Sequence, residues 1–330
     1  MLKHFSYLTF FGLFVFSSLL QGCGSSGSSA SQPNNIPPTQ TPVIEVTPDP
    51  TTFIVETEAT LKSDGPNTGF DSYSLIENVF SEGSIEAPDF YSRDHTSVSH
   101  IVEDEDDSVG PHFVFLAHRD LDFNKGVESD RQRNEIKAYD KSDQSLLAFE
   151  NQTLQYSWKF KVSSEQELSS RFTHFFQIKA RNEDEDDSNG NDDQPMVTIS
   201  AAEKSSTGNE LQVRFSTGNN PDGTGTSDIY LATIDWFTIA DEWLEVFVQA
   251  TFADDEKGAL KLTITRMSDD KVMIDIDESA IDMWRGVSDE DFARPKWGIY
   301  RSISETDSLG AEEEKVRFAD FTIRKGTLVN

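Results

Sequence analysis

Positive charge, cysteine and helical periodicity are what this 330-residue chain has least of. Its 28 lysines and arginines face 59 aspartates and glutamates, a formal charge of −31. Nucleic acid is thereby excluded as the main partner, because neutralising phosphates needs a basic footprint across the domain; only a local basic groove stays open. The single cysteine excludes an intramolecular disulfide, so stability must come from packing. Strands do not alternate with helices, which argues against a βαβ fold. What is there is 36% hydrophobic residue content in a chain long enough to bury a sizeable core, as one large all-β domain or two ordinary ones.

The N-terminus reads as an export signal. Lys3 precedes an apolar run from Phe5 to Leu20, too short and wrongly flanked for a permanent transmembrane helix, and Leu20-Gln21-Gly22-Cys23 follows. Those four residues resemble a bacterial lipobox, in which the cysteine becomes the lipidated first residue of the mature protein. The expectation is a signal over residues 1–22, lipidation at Cys23, and a tether over 23–52. That stretch is rich in Ser, Gly and Thr and holds six of the twelve prolines between Pro33 and Pro50, so it cannot order itself by burial. The chain is then an exported bacterial lipoprotein of the cell envelope, meeting the membrane through its anchor alone, and a monomer.

From residue 53 to 330 the apolar period is two. Leu154, Tyr156, Trp158, Phe160 and Val162 alternate with Gln155, Ser157, Lys159 and Lys161, the pattern of a half-buried strand. Similar runs cover Leu211–Phe215, Leu244–Phe252, Leu260–Ile264, Val272–Ile276 and Val316–Ile323. Turn signals separate them at Asn220-Pro221-Asp222-Gly223, Lys257-Gly258 and Ser268-Asp269-Asp270. One short helix is expected, over Ser279–Arg285. The fold class is all-β, a two-sheet β-jelly roll of the concanavalin-like sandwich kind with a concave groove. Two acidic runs, Glu103–Asp107 and Glu183–Asp187, offer oxygen ligands of the kind calcium takes but lack the spacing of a known calcium loop. No cofactor is required on this reading and no metal ligand is assigned; structural calcium at those runs is the one ion left open.

Three segments carry chemistry: Arg133-Asn134-Glu135-Ile136-Lys137, Gln177-Ile178-Lys179, and Lys296-Trp297-Gly298-Ile299-Tyr300. Residues two apart on a strand share a face. Arg133, Glu135 and Lys137 therefore lie together, as do Gln177 with Lys179 and Lys296 with Tyr300, while Ile136, Ile178 and Ile299 point to the core. A cationic face in so acidic a chain suits an anionic ligand. It also suits elimination on a uronic acid polymer. The C5 proton beside a carboxylate is very weakly acidic, so fixed donors must neutralise the carboxylate and hold the developing enolate. A phenol, ordinarily of pKa ~10, becomes a usable base among cations and then returns the proton to the leaving oxygen.

The order Arg-x-Glu-aliphatic-basic, Gln-Ile-x, Lys-x-Gly-x-Tyr resembles the signature strands of the β-jelly-roll polysaccharide lyases, the family-seven alginate lyases and their relatives acting on heparin and glucuronan. Asp130–Lys137 and Arg294–Arg301 are similar above all to the heparin lyase I and glucuronan lyase side of that group. The resemblance spans roughly residues 70 to 325. It implies that Arg133 and Gln177 neutralise the carboxylate of an anionic polysaccharide, that Tyr300 is acid and base, and that Lys296 assists. Lys137, Lys179, Glu135 and Arg294 would line the substrate groove. Alginate lyases usually carry His after Gln-Ile, where this chain has Lys179. His174 shares parity with Phe176 and Ile178 and reads as a buried structural histidine; His118, upstream of the Arg133 strand, is the expected substitute.

Two other readings stay open. A non-catalytic carbohydrate-binding jelly roll would stack sugars on platforms such as Trp243 or Trp297. A glycoside hydrolase of the same fold would need two facing carboxylates; Glu135 can be one, but no Glu-x-Asp-x-x-Glu strand supplies the pair.

Overall fold

Alternation along the strands decides which side of each sheet is buried. In β6 (Gln152–Val162) Leu154, Tyr156, Trp158, Phe160 and Val162 are sealed from solvent, and the residues between them are half-exposed. β11 (Leu244–Phe252) repeats the pattern. The computed structural model describes residues 52–182, 192–217, 228–310 and 313–329. The remaining strands are β1 (Thr52–Leu61), β2 (Ile85–Glu86), β3 (Ile101–Asp106), β4 (Gly110–His118), β5 (Arg131–Lys137), β7 (Thr173–Arg181), β8 (Val197–Lys204), β9 (Gly208–Ser216), β10 (Asp228–Asp235), β12 (Gly258–Arg266), β13 (Lys271–Ile281), β14 (Phe292–Ser302) and β15 (Glu313–Val329).

Two antiparallel sheets result. One has eight strands in the order β13-β12-β11-β6-β15-β4-β3, with β1 pairing the far part of β15; the other has seven, β10-β9-β8-β7-β14-β5-β2. Between them lies an aromatic core. Trp158 sits 4.4 Å from Phe176 across the sandwich, Trp297 stacks on Phe80 at 6.0 Å, and Phe160 stacks on Phe318. Burying each such ring contributes about 1.5–3 kcal/mol. This is the expected β-jelly roll.

The details depart from expectation in several places. Residues 279–285 are not helical: β13 runs to Ile281, and Met283 N–H then bonds the Ala253 carbonyl. Past the strand Met283, Trp284 and Arg285 are all buried in succession, so the apolar spacing there is neither that of a helix nor a strict alternation. Among the described residues the α-helix is elsewhere, at α1 (Ser72–Phe80). Asp71 caps it by accepting from Ser74 N–H, and Ser72, Ile76 and Phe80, four apart, form its buried stripe. Glu103–Asp106 belong to strand β3, and Asp106 accepts from the Ser108 and Val109 amides and the Trp243 indole. Glu183–Asp187 and the turn at Asn220–Gly223 lie outside the described residues. Neither proposed sugar platform is a platform, because Trp297 is buried in the core and Trp243 is 4% exposed, its ring against His112.

Candidate active site

The outer face of the seven-stranded sheet is built where β7, β14 and β5 run side by side. In β14 all eleven residues are buried, although from Arg294 on every second one is polar or small. Register explains the cluster: Tyr300 pairs with Arg133, Gly298 with Glu135 and Lys296 with Lys137 on β5, while Lys296 pairs with Gln177 and Arg294 with Lys179 on β7. Gly298 is required in that run. Its φ is +142°, and a Cβ there would lie 2.1 Å from the Asn134 carbonyl oxygen, so only glycine lets β14 approach β5 this closely.

Arg133 is the centre of the arrangement. Its guanidinium lies 3.9 Å from the Tyr300 ring centroid, and its Nε donates to Asn124 at 2.9 Å. Its Nη1 donates to Glu135 and, at 3.2 Å, to Glu86. Arg131 reaches over from the same strand and donates to the Tyr300 hydroxyl at 3.1 Å. Below them Lys296 Nζ bridges Glu86 and Glu135, 2.7 Å from each, Lys137 bonds Glu86 at 2.8 Å, and the Gln177 amide donates to Glu135. Arg294 lies 4.7 Å from the Tyr139 ring centroid.

Crowding these charges out of water shifts them. Burial, then the neighbouring Arg133, pushes Lys296 down to about 8; burial, then Lys296, does the same to Lys179. Burial also lowers Lys137 and Arg294. For Glu86 burial alone would raise the carboxyl, but Lys296, Arg133, Lys137 and Lys125 outweigh it and hold it well below the usual range. Glu86 was not visible from the sequence: it sits on a two-residue strand opposite Glu135.

His174 is where parity misled. Phe175 and Phe176 both enter the core, because β7 bulges between His174 and Phe176. The bulge returns His174 to the polar face. It pairs with Tyr300, ring centroids 5.9 Å apart. Its Nδ1 lies 2.6 Å from the Ser200 hydroxyl, which itself donates to Thr198, so Nδ1 carries the proton and Nε2 the lone pair. Burial and then the surrounding arginines and Lys296 keep the imidazole well below its usual pKa and therefore neutral.

His118 is not part of this face. It ends β4 in the other sheet, bonded to Glu313 at 3.0 Å and set against the rings of His95 and His100. Of the residues picked out by sequence, Arg133, Glu135, Lys137, Gln177, Lys179, Arg294, Lys296 and Tyr300 therefore share one face, and Arg131, Glu86 and His174 join them.

The profile of the polysaccharide lyase family matches residues 65–320, which takes in all three strands. The chain belongs to that family. This lyase also shares its fold with solved structures at low identity. The endo-β-1,4-glucuronan lyase of the fungus Trichoderma reesei is 15% identical, with 83% of this chain and 96% of that one covered and a TM-score of 0.51. The marine family-14 alginate lyase of Aplysia kurodai is 11% identical, covering 80% and 97%, at 0.52. The alginate lyase Aly36B is 11% identical, covering 82% and 98%, also at 0.52. No curated protein matches the sequence.

Proposed function

We propose that this lyase cleaves a uronic-acid-containing polyanionic polysaccharide, alginate or glucuronan or a similar chain, by β-elimination at the Arg133–Tyr300 face. The observation that carries the reading is the Tyr300 phenol set between two guanidiniums, Arg133 against its ring and Arg131 on its hydroxyl, with a neutral imidazole alongside. Arg133 neutralises the substrate carboxylate, with Gln177 and Lys296 as donors beneath it. The two arginines stabilise Tyr300 as phenolate, which takes the C5 proton. The C5–H electron pair becomes the C4=C5 double bond, the C4–O4 bond breaks, and the proton passes from Tyr300 to O4. His174, with Nε2 unprotonated, is the second group able to accept the proton.

The hydrolase alternative fits less well. A glycosidase acid needs a raised pKa, and Glu86, which faces Glu135 across strands, is held far in the other direction by Lys296, Arg133, Lys137 and Lys125. The binding-module alternative loses its platforms to burial. Incubation with a panel of polyuronates tests the proposal: ultraviolet absorbance from a conjugated double bond on new chain ends is the expected result, and saturated ends would overturn it.

The N-terminal reading stands beside this as a proposal of its own: residues 1–22 export the chain, Cys23 is lipidated, and the proline-rich stretch to residue 52 holds the catalytic sandwich off the membrane. Cys23→Ala should release the protein from the membrane fraction with its specific activity unchanged.

A further inference from the structure

On the far side of Arg133 from the substrate face, four side chains from separated stretches converge. His95 and His100 lie in the segment leading to β3, His118 ends β4, and Asp122 follows in the loop to β5. One nitrogen from each ring turns toward the same atom, Asp122 Oδ1: His95 Nδ1 at 3.0 Å, His100 Nε2 at 3.0 Å and His118 Nδ1 at 3.4 Å. The three rings stand nearly perpendicular in pairs, at 84–86°, with centroids 4.8–5.1 Å apart. All four ligand atoms fall within 4.8 Å of one another.

The outer nitrogens of two of the rings are held as well. Asp89 Oδ1 takes the proton of His100 Nδ1 at 3.0 Å, while its other oxygen accepts from the Tyr73 hydroxyl. Glu313 takes the proton of His118 Nε2 at 3.0 Å. Inward, His100 Nε2 and His118 Nδ1 both face the same carboxylate oxygen, Asp122 Oδ1. His118 Nδ1 is buried and makes no hydrogen bond. A buried ring nitrogen without a partner is costly in a site where His100 is fully buried and Asp122 is 2% exposed, and a cation among these four groups would satisfy it. A carboxylate behind each of two histidines is also the arrangement that orients metal-ligating imidazoles.

We propose that His95, His100, His118 and Asp122 bind one zinc ion. Tetrahedral Zn²⁺ with ligands at about 2.0–2.1 Å places neighbouring ligand atoms roughly 3.3 Å apart, which is the spacing around Asp122 Oδ1. Three imidazoles and one carboxylate are the donors a borderline ion selects, whereas calcium takes six to eight oxygens. Four protein ligands close the coordination sphere, so the ion is structural. It pins a loop that matters to the other face: Gln132 on β5 donates to the carbonyls of His118, Arg119 and Asp122, and Asn124, two residues past Asp122, holds Arg133 Nε. The ion is a positioning device for Arg133, and its binding does not depend on what this lyase cleaves.

The test uses the full-length chain in detergent, made without a polyhistidine tag in zinc-supplemented medium. Mass spectrometry of the metals should find about one equivalent of zinc, and removing it with a chelator should lower Tm by more than about 5 °C, restored by Zn²⁺ and not by Ca²⁺. Replacement by Co²⁺ should give the intense visible bands of a tetrahedral site. Those bands and the zinc should be lost in His95→Ala, which truncates a half-buried ligand, and retained with a sulfur-to-metal band in His95→Cys. Zinc below about a tenth of an equivalent with no Co²⁺ bands, restoration of Tm by Ca²⁺ alone, or full zinc retention in His95→Ala would each overturn the proposal.

Discussion

The two sheets alternate in the same way and use their outer faces differently. On β6 the outward Lys159 meets Asp320 at 2.6 Å with both side chains partly in water, at 22% and 32% exposure. On β14 the outward Lys296 meets Glu86 and Glu135 at 2.7 Å with all three nearly sealed, at 3%, 5% and 1%. The bond lengths match; the surroundings do not. A solvated pair is worth about 0–1 kcal/mol, whereas a buried one must offset the loss of hydration and leaves a costly orphan when one partner is removed. The ion pairs of the proposed active site are thus the ones the fold has taken out of water, where fixed charges act most strongly on a bound anion.

The largest effect should come from removing the proton carrier on the buried face. Tyr300→Phe keeps the ring against Arg133 and should lower kcat by ~10²-fold or more with KM nearly unchanged. His174→Ala sharpens the assignment: a matching loss together with a changed acidic limb of the pH–rate profile makes the histidine the base and Tyr300 the acid, and an unchanged limb leaves both roles with Tyr300. Next in size is a stability difference between sheets. Glu135→Ala leaves Arg133, Lys296 and Lys137 buried around the single carboxylate of Glu86 and takes the partner of Gln177, and should cost about 3–5 kcal/mol in urea unfolding, against less than about 1 kcal/mol for Asp320→Ala. Equal losses would erase the distinction drawn above.

A smaller effect concerns pH. Lys179 and Lys296 ionise near 8 in the folded protein, so both are charged below that value and neutral above it. Affinity for a polyanion should be full near neutrality and fall as pH rises through about 8, seen as a several-fold increase in KM between about pH 7 and 9. Smallest of all, Lys159→Ala on the solvated face should leave activity untouched within error and lower stability by a few tenths of a kcal/mol at most, as surface substitutions do, that is within ~0.5 kcal/mol.

Sequence reading reached the sandwich because β6, β11 and β15 each bury every second side chain, and period two survives translation into structure. It reached the facing of Arg133, Glu135, Lys296 and Tyr300 for the same reason. It failed where a single backbone irregularity changed the count. The bulge after His174 swaps the face of that residue without leaving any mark in the apolar pattern. Helix α1 was overlooked because nine residues give just two turns of evidence, an Asp71 cap and the spacing of Ile76 and Phe80. Glu86 and the His95–His100–His118–Asp122 cluster were illegible for a different reason: each is assembled by tertiary contact between segments whose spacing forms no motif.

Strand β15 has one more consequence, for the order in which the molecule can form. Its seventeen residues pair with β4 near their start and with β1 near their end, and with β6 along most of the length between. Three strands from distant parts of the chain therefore share one template that is synthesised after all three. Contacts of such long sequence separation demand loop closure before they give anything back, so this sheet should assemble slowly and all at once. Until β15 is present, β1, β4 and β6 each expose an unpaired edge, and a chain truncated before Glu313 should aggregate through those edges rather than persist as a smaller sandwich.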